Sequence, residues 1–170
     1  MSINLELEED IIKIVNQMRF EYDRPLIKTD ISSIPVLGPC FWNANIKQVM
    51  IQINRYASGH KHQKLVFGEF AISQEEEAFS LFYLPANQEE IEYLYHDLWN
   101  IFEQDIEEPA PFFPGLAIMR QQEEEDCLQA MDELSRRKHK IRTYSTTLLL
   151  ERKVEKGDAT GWEILQAFPF

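Results

Sequence analysis

The 170-residue chain is short of several things. It has only two cysteines, Cys40 and Cys127, far apart in sequence. That excludes the dense disulfide framework of small secreted domains. The opening "MSINLELEED" lacks a basic stretch followed by an apolar run, so no signal peptide is expected, and both thiols are expected to be reduced in a cytosol-like compartment. The longest run of branched aliphatics is Leu148–Leu150, far below the ~20 residues of a spanning helix, so no membrane insertion is expected. There is no G-x-S-x-G, Walker-type Gly-Lys-Ser/Thr, G-x-G-x-x-G, H-E-x-x-H or EF-hand loop. These absences weigh against the common hydrolases, nucleotide-dependent enzymes and metalloproteases, and no cofactor is expected. Without internal repeats or a Gly/Ser linker, residues 1–170 read as a single acidic domain.

Bases are scarce as well. Lys and Arg number 17 against 29 Asp and Glu, a net charge of −12. From Glu75 to Glu133, 17 acids meet one base, Arg120, giving −16; the remaining 12 acids and 16 bases give +4. Such a field repels phosphate backbones, which makes nucleic acid an unfavoured partner. It suits a protein partner with a basic surface.

Rings are plentiful: 11 Phe, 6 Tyr and 3 Trp. They point to a packed core, and a chain of this length buries roughly 70% of its unfolded surface, enough to fold without metal or disulfide. Leu7, Ile11, Ile14, Val15 and Met18 form a helical stripe over about residues 5–20, with Ser2 or Asn4 as caps. Arg24-Pro25 closes that helix. The segment through Pro35, Gly38 and Pro39 reads as irregular or as an edge. Val49, Ile51 and Ile53 alternate with Met50, Gln52 and Asn54 and predict a half-buried strand. "KLVFGEFAIS" and "AFSLFYLP" predict two more, joined by short loops into a three-stranded meander. Asn87 and Glu90 have capping-box spacing ahead of a helix with Ile91, Leu94, Tyr95, Leu98, Ile101 and Phe102 inward. A further helix spans about Gln122–Lys138, with Cys127, Ala130, Met131 and Leu134 inward, acids first and bases last. The tail predicts a hairpin. The expected fold is α+β, an antiparallel sheet of meander plus C-terminal hairpin with about three helices, in the order αβββααββ. In topology alone, that order resembles the small acidic secretion-chaperone fold and, less closely, E2-type and RWD domains.

Among candidate sites, His60-x-His62 offers two imidazoles of the kind that bind zinc or copper. Lys61 and Lys64 beside them oppose a cation, and two ligands do not complete a site, so a solvent-exposed hairpin tip is the plainer reading. Cys40 has no neighbouring base to activate it and reads as packed. An enzyme using His60, His62, His96 and Cys40 in a cleft is the main alternative function. A second is RNA association through the basic stretch 136–142, with Tyr144 able to stack a base.

"EEPAPFFPGL" stands out. Three prolines stiffen it, and adjacent Phe112 and Phe113 point opposite ways in an extended backbone. Trp42, Phe112 and Phe113 are expected as hydrophobic contacts for a partner, with Glu107, Glu108, Glu123, Glu124 and Glu125 as an acidic rim. The expected function is therefore non-enzymatic protein binding, as an assembly factor, adaptor or chaperone-like module. Sheet edges left open by a meander add possible homo-oligomerisation. Phe168 and Phe170, in the terminal "QAFPF", are expected either to dock in a partner or to lie back on their own domain.

Overall fold

Thirteen elements follow one another in the computed structural model, which describes residues 1–22, 33–75, 78–107, 112–137, 140–156 and 159–170. They are β1 (Ser2–Glu6), α1 (Glu9–Tyr22), β2 (Ser33–Leu37), α2 (Ile46–Ser58), β3 (Gln63–Glu75), β4 (Ala78–Pro85), α3 (Gln88–Phe102), a 3-10 turn (Glu103–Asp105), β5 (Leu116–Gln122), α4 (Glu124–Arg136), β6 (Ile141–Ser145), β7 (Thr147–Lys156) and β8 (Ala159–Pro169). The α+β class is as the sequence predicts. The architecture is two four-stranded antiparallel sheets, ordered β2-β1-β7-β8 and β5-β4-β3-β6, with four α-helices rather than about three. The order αβββααββ does not hold, and the likeness to secretion chaperones, which rested on it, goes with it.

The largest departure is residues 46–58. Val49, Ile51 and Ile53 do alternate with Met50, Gln52 and Asn54, but Val49, Ile53 and Ala57 also lie four apart, and those three are the buried residues of a helix. Asn45 caps it, its side chain accepting from the Lys47 amide at 2.9 Å. Ile51, assigned inward as a strand residue, is 61% exposed. The meander therefore loses its first strand. The β3–β4 hairpin remains, with Phe70 opposite Tyr83 and Ile72 opposite Leu81.

Ser2 and Asn4 cap nothing. They belong to β1, which is buried on both faces. Ile3 and Leu5 point one way into the apolar core. On the other face Ser2 donates to Asn4 Oδ1, Asn4 Nδ2 to Ser33 Oγ (3.2 Å) and Ser33 Oγ to the buried Glu151 carboxylate (2.9 Å). Buried polar groups need such partners, so this relay lets a polar strand face lie inside. The helix stop at Arg24-Pro25 lies outside the described residues.

The chain's two halves mirror each other in connectivity. β1 and β2 are antiparallel neighbours with α1 between them in sequence, and β4 and β5 are likewise joined through α3. Each helix packs on the other pair's outer strand, α1 on β5 and α3 on β2. α2 lies on β7 and β8, and α4 on β3, β4 and β5. The strand after α2 enters the second sheet, while β7, two elements after α4, enters the first. A contiguous apolar cluster drawn from both sheets and all four helices fills the interior. Phe168 is buried opposite Leu148, and the Phe170 amide donates to Thr146 O at 2.9 Å, so the chain's last residues lie on their own sheet.

Tyr83 stacks on Phe70 and packs tilted against Phe67, with ring centroids 4.8 and 5.2 Å away. Burial pushes its phenol from 10.0 up to about 12. The neutral form is thus favoured by folding. Its contribution to stability is complete below pH 10 and is lost as pH rises through about 12. Urea midpoints taken from about pH 9 to about pH 12 are expected to fall less steeply for Tyr83→Phe than for wild type. Parallel curves would remove Tyr83 as a cause of the alkaline loss.

Candidate functional site

Two short segments more than sixty residues apart meet in an antiparallel pair. The Asn43 amide donates to Asp105 O (2.9 Å), the Glu107 amide to Phe41 O (3.0 Å), and Trp42 sits opposite Ile106. Extended backbone alternates its side chains, so the pair has an inner and an outer face. On the inner face Trp42 is half-buried, its ring edge-on to Phe102 at 5.1 Å and its Nε1–H donating to Met1 O at 3.2 Å. The Cys40 amide donates to the same carbonyl at 3.0 Å.

The outer face carries Phe41, Asn43, Asp105 and Glu107. Phe41 is 70% exposed. Glu107, across from it, accepts from Asn43 Nδ2 at 2.6 Å. That fixes the carboxylate in place without neutralising it. Glu103 is exposed one turn away, and none of Glu103, Asp105 and Glu107 forms an ion pair among the described residues. The result is an outward ring on a hydrogen-bonded ladder with uncompensated negative charge around it. Of the residues singled out from sequence, Trp42 and Glu107 are brought together here. Phe41 was missed; the only signal was its position one residue before Trp42, which an extended backbone turns outward. Glu108 lies outside the described residues.

Next to this ladder, α3 continues the surface. Its last turn exposes Ile101, which with Gln52, Arg55 and Tyr56 of α2 lines a groove of about 320 Å³. Tyr56 donates its hydroxyl to Asp97 Oδ2 at 3.1 Å, and burial followed by the Asp97 charge pushes that phenol well up. Tyr93, one turn before Asp97, is also exposed.

Phe112 and Phe113 diverge as expected, but each finds a partner. Phe112 rests on Tyr95 of α3 at 5.1 Å, and Tyr95 stacks on Trp99. Phe113 meets Phe82 of β4 edge-on at 4.7 Å and stays 38% exposed. Pro109, Ala110 and Pro111 lie outside the described residues. Glu123, Glu124 and Glu125 are exposed at the head of α4, where carboxylates suit the helix dipole.

The other candidates are dispersed. His60 follows α2, stacked on Tyr56 at 3.8 Å, with Nδ1 2.7 Å from Tyr56 O. His62 packs edge-on to Tyr144. Both are exposed, in the turn between α2 and β3 rather than at a hairpin tip. His96 lies on α3, 3.8 Å from Glu92. Cys40 and Cys127 are buried free thiols, and burial pushes the Cys127 thiol up. No group of three or more metal-ligating side chains occurs among the described residues. In the basic stretch, Arg136 pairs with Asp132, and Arg137 pairs with Glu21 while donating to Tyr22 Oη at 2.8 Å. Lys138 and His139 lie outside the described residues. Among the described residues, no helix is long and apolar enough to cross a membrane. Compared with known proteins, the chain matches no family model and no curated relative.

Proposed function

We propose that the protein works by binding another protein, one with a basic surface, through the face built on Phe41, Ile101, Glu103, Asp105 and Glu107. The observation that carries this is Phe41. A large ring stands 70% exposed on a ladder that ties its carbonyl to the Glu107 amide, beside Cys40, whose own amide is tied to Met1 O. An aromatic held in this way loses little entropy on docking, which is what an interface anchor requires. The carboxylates around it speed encounter with a cationic partner and discriminate against acidic ones. Trp42 acts beneath the surface by holding Phe102, and Phe112 and Phe113 fasten the neighbouring loop to α3 and β4. The two free, buried thiols support a reducing, cytosol-like compartment for this activity.

Binding of a fluorescently labelled, Lys/Arg-rich amphipathic peptide tests the reading. Phe41→Ser is expected to weaken Kd by roughly thirtyfold, the effect of losing about 2 kcal/mol at an anchor, with the melting temperature within about 2 °C of wild type. Glu103→Lys with Glu107→Lys should weaken binding mainly at low salt. Wild-type chain that ignores the peptide, or a Phe41→Ser variant that binds it unchanged, would refute the proposal.

A further inference from the structure

The second sheet has two unlike faces. Leu65 and Phe67 of β3 and Leu81 and Tyr83 of β4 belong to the apolar core, so Lys64, Val66, Phe82 and Leu84 point away from it. On the β4–β5 side this outer face is apolar, and Phe113 lies edge-on to Phe82. On the β3–β6 side it is open and basic. Lys64 stands opposite Tyr144 and Val66 opposite Arg142, and opposed residues share a face. Lys64 and Arg142 are exposed, and Tyr144 is 46% exposed. His62, two residues before Lys64, meets Tyr144 edge-on with ring centroids 5.0 Å apart. Lys140, two residues before Arg142, is exposed as well.

This patch opposes the charge of the chain that carries it. None of Lys61, Lys64, Lys140 and Arg142 forms an ion pair among the described residues. Arg136 and Arg137 are neutralised by Asp132 and Glu21, so the open bases are those of the strands and the turns before them. β4, β5 and β6 contain no acid. The two acids of β3, Glu69 and Glu75, lie roughly 16 and 35 Å along the strand from Lys64, at about 3.3 Å per residue. Glu8 reaches Thr143 from the core side of β6. Glu90 comes nearer, through Asn87, which donates to it at 2.9 Å and to Lys64 O at 2.8 Å. At physiological salt, charges beyond about 8 Å are largely screened, so the local field is positive although the chain carries −12.

We infer that the outer face of β3 and β6 binds single-stranded RNA, with one base stacking on Tyr144 and the flanking phosphates resting on Lys64, Lys140 and Arg142. Charge complementarity selects an anion, and the ring selects among anions. An acidic peptide would satisfy the bases and leave Tyr144 unused. A duplex hides the faces of its bases, whereas a single strand offers them to an aromatic on a flat sheet. Among single strands, RNA is the one abundant in the reducing compartment that two free thiols suit. This site uses none of the Phe41 face, so it stands or falls apart from the basic-partner reading.

Fluorescence anisotropy with a labelled, mixed-sequence RNA of about eight nucleotides tests this on the full chain. The logarithm of the association constant is expected to fall with the logarithm of salt at a slope of about −2, the value for roughly three phosphates on a single strand. Tyr144→Ser is expected to weaken binding about tenfold at unchanged slope, and Tyr144→Phe, which keeps the ring, to bind as wild type. Lys64→Gln with Arg142→Gln should flatten the slope to about −0.7. All three side chains are exposed, so melting temperatures should stay within about 2 °C of wild type. Should a variant fold poorly, the wild-type chain decides: photo-crosslinking to the same RNA carrying 4-thiouridine is expected to mark residues 62–66 or 140–145. No binding at low salt overturns the proposal, as does a Tyr144→Ser variant that binds unchanged. So do adducts confined to other segments, or an oligoglutamate of equal charge that competes as well as unlabelled RNA, which would make the occupant an acidic peptide.

Discussion

Replacing Phe102 with alanine is expected to lower the unfolding free energy by about 3–5 kcal/mol, the largest effect of any single change considered. Phe102 ends α3 and is fully buried. Its ring supports Trp42 edge-on at 5.1 Å, and Trp42 in turn stands opposite Ile106. Truncation would leave a void at the root of the Phe41–Glu107 ladder, and the indole above it would have to move to fill it. The loss should therefore appear twice: as a lower denaturant midpoint at unchanged slope, and as faster hydrogen exchange at the Asn43 and Glu107 amides. A change below about 1 kcal/mol would mean that the surroundings collapse onto the cavity and that Phe102 is no keystone.

Gly38→Ala comes second. Gly38 has a φ of +113, a conformation that side-chain-bearing residues rarely take. A Cβ there would lie 2.9 Å from Met1 O and 3.0 Å from Ser2 Cα, both backbone atoms that have no easy way to yield. Strain and overlap together are expected to cost about 2–4 kcal/mol. The same Met1 carbonyl accepts from Cys40 and from the Trp42 indole, so the ladder should loosen together with β1. Gly59→Ala is the control. Its φ is −94, a Cβ meets nothing closer than 3.6 Å, and a shift under about 1 kcal/mol is expected. Equal losses at the two positions would show that the crowding at Gly38 is relieved by movement of the chain's first residues.

Where sequence was readable, one physical signal stood without a rival. Residues 88–102 repeat apolar side chains at helical spacing with acids at the start, and α3 forms there with Ile91, Leu94, Leu98 and Phe102 buried. Residues 46–58 satisfied two periods at once. Ile51 tipped the reading toward a strand, whereas Asn45 and Ala57, outside the alternating triplet, carried the helical answer. β1 was hidden because Leu7 extends the stripe of α1 backward, and because Ser2 and Asn4 look like caps until Ser33 and Glu151 arrive from distant strands. The candidate site was legible in its chemistry and not in its assembly. Trp42 and Glu107 could be named as residue types. The ladder that joins 41–43 to 105–107 has no local signature, since a backbone pairing between remote segments leaves no periodicity in either.

The exchange of strands between the two sheets bears on how the molecule is made. The central pair of the first sheet joins residues 2–6 to residues 147–156. Ile3 and Leu5 cannot find Leu150 and Leu148 until nearly the whole intervening chain is available, and closing so long a loop is slow. During synthesis the earliest strand must wait beside an empty place, its apolar face open to solvent, and over that interval the nascent chain is most prone to stick to a neighbour.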